Sequence, residues 1–198
     1  MPVRRRHGFL KSLLGLVLLC LAVVYGVAAL ISPWSFHIGG RWTPLLYWSG
    51  SGNLVTKGGT YPLYLYFFPD SHSSRLYLDG LRPTGGLQGA AWLCTAPGVT
   101  QRLKLSGTIF GGWRSTENSA IEFRLLERKY VDVGQRQGYF YLYGRWQGPA
   151  LVMEDRGELG SMFRSGLKIE HASVIVDWGD YSTFKAVCAS MKNFPPHP

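Results

Sequence analysis

The stretch QRLKLSGTI, residues 101–109, sets Leu103, Leu105 and Ile109 on one face of an extended chain and Arg102 and Lys104 on the other. Side chains alternate across a strand, so the pattern is that of a strand with one buried and one wetted face. The same two-residue period returns in Ile121, Phe123 and Leu125, and again across residues 139–143. The aromatic-rich run 61–68, the alternating run 75–79, and residues 87–94, 151–153 and 173–178 complete the set of predicted strands. Turn signals stand between them: Pro69-Asp70, PTGG at 83–86, APG at 96–98, and Gly148-Pro149. Many short strands with no helices between them predict an all-β domain, an antiparallel sandwich or a small barrel.

One segment beyond the strands reads as a helix. Across residues 181–192, Phe184, Val187, Cys188 and Met191 fall at helical spacing, and Asp180 or Ser182 can cap the start. This short C-terminal helix is expected to lie apolar face down on the sheet. Residues 194–198, with three prolines and a histidine after Phe194, read as a flexible tail. Cys94 and Cys188 are natural partners for a disulfide in an oxidising compartment, worth about 4 kcal/mol in chain entropy over so long a loop. Two separate buried thiols are the competing reading.

The oxidising compartment is argued from the other end of the chain. An uncharged apolar run opens at Leu13 and closes at Ile31, behind a basic head holding Arg4, Arg5, Arg6 and Lys11. It meets the roughly 18 residues a helix needs to cross a bilayer, and basic residues ahead of a first apolar segment stay cytoplasmic. The expected layout is a cytoplasmic head 1–12, a transmembrane signal anchor 13–32, an extracytoplasmic β domain 33–193 and the tail 194–198. The domain is then periplasmic if the source is bacterial, with Trp34 and Phe36 in the outer interface. Secretion after cleavage behind small residues near Ala28 is the alternative. Cys20 lacks the small residue before it that a lipoprotein acceptor needs. Gly8-Phe9 resembles the cleavage junction of type IV pilin-like proteins, but Leu13 stands where that family carries Glu, and Pro33 and Gly39-Gly40 end the helix early.

Charge narrows the partner class. The chain carries 21 Lys and Arg against 12 Asp and Glu, a formal +9. Four basic residues belong to the head, which leaves 17 against 12, or +5, on the outer domain. Those charges are scattered singly, as in Arg75, Arg82, Arg114 and Arg124, whereas nucleic-acid binding calls for a basic stripe. No nucleic-acid partner is expected. The lipid bilayer, through residues 13–31, is the first expected partner.

Gly-x-Trp recurs as Gly40-Arg41-Trp42, Gly111-Gly112-Trp113 and Gly144-Arg145-Trp146. The last two follow strands read as ending at Gly107 and Gly144. The first resembles the Gly-x-Trp opening of lipocalins, and that resemblance implies an eight-stranded barrel around a ligand. The bland account is tryptophan as core.

The catalytic motifs are weaker. Ser182-Thr183-Phe184-Lys185 resembles the S-x-x-K nucleophile motif of serine β-lactamases and penicillin-binding proteins, but no S-D-N or K-T-G follows; a cap and a solvated lysine account for it. His37, His72 and His171 lack metal-ligand spacing. Asp70-Ser71-His72 reads as a hairpin loop, and Glu154, Asp155 and Glu158 as a charged turn. No metal and no cofactor are expected. The function class is a binding or envelope-assembly module, with Tyr64, Tyr66, Tyr139, Tyr141 and Tyr143 as the candidate surface for an envelope protein or glycan. A carrier of a small apolar ligand inside a lipocalin-like barrel is the first alternative. A hydrolase using His72 or His171 is the second.

Overall fold

The structure is a computed structural model; it describes residues 4–31, 47–70, 84–110, 120–127, 138–157, 163, 166–167 and 169–191, with α1 side chains from 11 to 27. Helix α1 (Arg4–Ile31) comes first, followed by β1 (Trp48–Thr56), β2 (Gly59–Pro69), β3 (Thr84–Ala96), β4 (Val99–Phe110), β5 (Ala120–Glu127), β6 (Tyr139–Gln147), β7 (Ala150–Glu154) and β8 (Ser173–Trp178). Helix α2 (Tyr181–Ser190) ends the described chain. Each strand pairs antiparallel with its sequence neighbours, and β8 pairs back onto β1, with Gly50 opposite Trp178 and Leu54 opposite Val174. The sheet is therefore a closed barrel, which decides between the two expected architectures. Closure leaves no strand with an unpaired backbone edge.

The alternation seen in 101–109 holds along β4: Leu103, Leu105 and Ile109 are buried inside the barrel while Arg102 and Lys104 face out. The interior is filled in layers. At the end where β1 begins, Trp48 packs on Phe67 at 5.2 Å between ring centroids and edge-on against Trp146 at 6.3 Å. Phe67 continues to Phe123 at 4.8 Å. The other end is closed by the β7–β8 connection, whose Phe163, Leu167 and Ile169 are buried; Phe163 meets Phe140 at 6.0 Å. Asp155 ties that connection down, accepting from the Gly157 N–H at 2.8 Å and the Ala172 N–H at 2.6 Å. Side chains of this size contribute about 1.5–3 kcal/mol each on full burial.

Several expectations are corrected. Residues 48–56 form a strand that the period does not reveal, because WSGSGNLVT carries two glycines and two serines that blur it. PTGG carries a turn signature, yet Thr84, Gly85 and Gly86 pair with Phe110, Ile109 and Thr108 inside β3. Gly107 and Gly144 do not end their strands; both lie within them. At Gly144 the reason is a close approach of chains, since a Cβ there would meet the Val152 carbonyl and stand 2.8 Å from the Met153 side chain. The predicted strand 75–79, the tail 194–198, Trp34, Phe36, His37, His72, and the first two Gly-x-Trp sites lie outside the described residues. The third site holds as core, with Trp146 buried.

The C-terminal helix and the disulfide hold as expected. Cys94 on β3 is bonded to Cys188 on α2, with 5.7 Å between Cα atoms and a sequence separation of 94. Phe184 and Cys188 are buried against Tyr64, with Met191, Trp92 and Tyr66 partly covered beside them. Val187, expected on the same face, is instead exposed. The Gly98 N–H, in the β3–β4 turn at φ +74°, donates to the Cys188 carbonyl at 3.0 Å and holds the far end of the helix.

The described α1 side chains run from 11 to 27, and their leucines and valines are exposed. That stretch is about 25 Å long at 1.5 Å per residue, against about 30 Å of hydrocarbon. Among the described residues no helix is long and apolar enough to cross a membrane.

Two outcomes follow. Replacing Cys94 and Cys188 together by Ala lowers unfolding stability by about 4 kcal/mol, read by urea titration. Gly144→Ala lowers it by about 1–3 kcal/mol, because the added methyl group meets backbone that has no room to move; an unchanged midpoint would show the β6–β7 contact to be slack.

Candidate functional site on the outer face of the barrel

With the interior occupied, the outward-facing residues are what the domain can offer to a partner. The ligand-carrier alternative needs a lined internal cavity. Trp48, Phe67, Phe123, Trp146 and their neighbours form one buried cluster inside the barrel, packed against one another where that alternative places its ligand. The indole N–H groups of Trp48 and Trp146 are buried there with no hydrogen-bond partner among the described residues.

A groove of about 820 Å³ opens instead on the outer surface, across β6, β7, β8, β1 and the start of β2, with α2 as one wall. Cross-strand registers place its floor. Arg145 lies opposite Val152, Val152 opposite Ile175, Ile175 opposite Asn53, and Asn53 opposite Pro62. A second row runs from Tyr143 through Glu154 and Ser173 to Val55. Ile175 is 58% exposed and Val187, on the α2 wall, 46%. Val152 and Ile175 lie side by side as an apolar strip, with Val187 on the α2 wall; Arg145, Asn53, Glu154, Ser173, Asp177 and Gln147 are the polar groups around it, and Val55 ends the second row beyond Ser173. An apolar strip with a few placed polar groups suits recognition of a mixed ligand surface.

The five tyrosines do not converge. Tyr64 and Tyr66 sit on β2 and Tyr139, Tyr141 and Tyr143 on β6, which are four strands apart either way round the closed sheet. Tyr64 is buried under α2, between Trp92, Tyr181 and Phe184. Tyr66 packs against Tyr47 and Phe68. The β6 tyrosines form a ladder, with Tyr141 stacked on Tyr143 at 6.5 Å and the Arg124 guanidinium 5.7 and 5.6 Å from the Tyr139 and Tyr141 rings. The Arg156 guanidinium lies 4.4 Å over the Tyr143 ring. Each of these rings thus has an arginine over it and stays partly exposed. Only Tyr143 lines the groove.

The remaining candidates fall apart by position. His171 is exposed in the left-handed region at φ 52°, and His72 lies outside the described residues. Asp155 spends its carboxylate on two backbone N–H groups, which fits the charged-turn reading; among the described residues no group of three His, Cys, Asp or Glu could hold a metal. Lys185 is exposed on α2. Ser182 donates to Asp180 Oδ1 at 2.6 Å, and Asp180, the helix cap, also accepts from the Thr183 N–H at 2.7 Å.

Sequence reasoning missed Arg145, Val152, Ile175 and Val55. Residues 173–178 gave a usable signal: SVIVDW alternates buried Val174 and Val176 with Ile175, and an isoleucine on the polar phase of a strand marks an exposed apolar spot. No family model, no curated protein and no solved structure matches this chain.

The Ser182 hydroxyl and the Thr183 N–H hold the Asp180 carboxyl below the usual carboxylate range. The folded value then lies below the unfolded one, so the cap is fully formed above the ordinary 3.8 and is lost as pH falls through the lower folded value. The Thr183 amide NMR shift should titrate with a midpoint below 3.8, and Asp180→Asn should abolish that titration.

Proposed function

We propose that this is a single-pass, N-terminally anchored protein whose barrel lies outside the cytoplasm and acts as a binding or envelope-assembly module through the outer-face groove. The observation that carries the binding reading is the combination of a packed interior with an outer groove whose apolar strip is flanked by polar groups. Because the closed sheet has no free edge, a partner cannot add a strand and must be recognised by side chains. The groove asks for a ligand surface with apolar groups to cover Val152 and Ile175, and polar groups to meet Arg145, Glu154 and Asp177. An exposed segment of another envelope protein satisfies this better than a flat sugar, since the tyrosine faces that would stack a glycan are covered by Arg124 and Arg156.

Anchoring rests on the apolar run 13–31 of helix α1 (Arg4–Ile31), about 28 Å at 1.5 Å per residue, which turns leucines and valines outward along its described length. Basic residues only at its start favour a cytoplasmic head. The Cys94–Cys188 bond accords with an oxidising compartment for the barrel.

Two measurements test this reading. The full chain should stay with membranes through alkaline carbonate extraction, and release into the supernatant would remove the anchor. A photo-crosslinking residue at Ile175 or Val152 should give the same discrete adduct in cells, which Arg145→Glu weakens about fivefold, a loss of about 1 kcal/mol in complex stability. The same probe at Val99, exposed at the start of β4 and not among the groove's lining residues, should not. Equal labelling from all three positions would sink the groove as the binding site.

A further inference from the structure

The two ends of the barrel differ in a way the groove does not use. In an up-and-down barrel of even strand number, the start of β1, the ends of β2, β4, β6 and β8, and the starts of β3, β5 and β7 all meet at one end. The registers place Trp48, Phe110, Gln147 and Trp178 there, and α2 begins there with Tyr181. Among the described barrel and α2 residues, the large aromatics with substantial exposure are Trp178 at 52%, Phe110 at 38% and Tyr181 at 37%. All three sit at this end. The exposed apolar residues elsewhere are aliphatic: Val55, Val99, Ile175 and Val187.

The three aromatics also surround the end. Trp178 closes β8 and Phe110 closes β4, four strands apart, so they stand on opposite sides of the rim. A patch for a protein partner on the side wall would gather such residues on neighbouring strands. Aromatics on opposed points of one rim instead suit contact with a plane across the barrel axis. Trp178 is supported from below, edge-on against buried Trp48 at 6.3 Å, and Tyr181 packs against Trp92 at 5.2 Å. Supported, half-exposed Trp and Tyr are the residue types that settle at the level of lipid headgroups.

This is also the end at which the chain arrives from α1. Residues 32–47 are long enough, at up to about 3.4 Å each, to let either end of the barrel face the bilayer. The tether holds the domain close, and the aromatics choose the end.

We propose that the barrel stands end-on against the outer surface of the bilayer, with Trp178, Tyr181 and Phe110 seated among the headgroups. The placement rests on the anchored reading above. Its contact is apolar and aromatic, not electrostatic: the charged groups described at this rim are Arg145 against Asp70, Asp177 and Asp180, which give no net attraction for anionic lipid. The groove, with its α2 wall, then opens sideways along the membrane surface, toward a partner anchored in the same bilayer.

The test uses the full chain in phosphatidylcholine nanodiscs, in a Cys20→Ser background, with one nitroxide at Gln147→Cys on the aromatic rim or at Val99→Cys at the opposite end. Accessibility to a water-soluble nickel relaxant is expected to be about threefold lower at the rim, and to stay so when phosphatidylglycerol is added to the disc. Replacing Trp178, Tyr181 and Phe110 by Ser should return the rim label to the exposure of the label at 99. Phe110→Ser alone, on the outward phase at the end of β4, should return it part-way. Equal accessibility at the two ends, or protection that survives loss of the aromatics, overturns the placement. A chain that leaves the disc altogether overturns the anchor, and this placement with it.

Discussion

The pairing of β8 with β1 is the constraint on which the rest of the molecule depends. Once Gly50 to Val55 have paired with Ser173 to Trp178, every strand has two neighbours and the inward residues have no exit. The inner wall must then be filled at crystal-like density, and Trp48, Phe67, Phe123 and Trp146 do this at one end while Phe163 and Phe140 do it at the other. The closure also demands close approach between strands, which is why glycine recurs within them; at Gly52 a Cβ would run into the Ile175 carbonyl. The same pairing leaves no sheet edge to which a further strand could be added.

Helix α2 gives the outer wall its relief. Ten residues would not hold a helix in water by themselves, so its position depends on the two buried residues Phe184 and Cys188, the bond to Cys94, the Asp180 cap and the Gly98 contact at its far end. Packed there, it covers Tyr64 and leaves Val187 exposed beside Ile175. The groove exists because a helix has been fastened to one side of an otherwise convex surface.

Much of the architecture was legible. The alternation in 101–109, 121–125 and 139–143 reports a half-buried sheet, and Phe184 with Cys188 at helical spacing reports the helix that covers part of it. The pairing of Cys94 with Cys188 was legible as well. What was not legible shares a cause. In β1, Gly50 and Gly52 carry no side chain to express a period, and in PTGG the glycines that suggest a turn serve a strand. Gly107 and Gly144 misled in the same manner, since a residue needed for close approach in space looks like a residue needed for a bend in the chain.

The candidate site was less legible than the fold, and the tyrosines show why. Period two says which residues share a face of one strand, but not which strands stand side by side or what lies over them. Tyr64 and Tyr141 have the same alternation in sequence, yet one is buried under α2 and the other lies against Arg124 on the far side of the barrel. The sequence alone determined the strand class, the terminal helix, the disulfide partners and an apolar N-terminal run, because each is a property of neighbouring residues or of a scarce residue type. Tertiary structure alone decided the closure, the filled interior and the groove of Arg145, Val152, Ile175 and Val187. Those depend on register between strands remote in sequence, which no local pattern encodes.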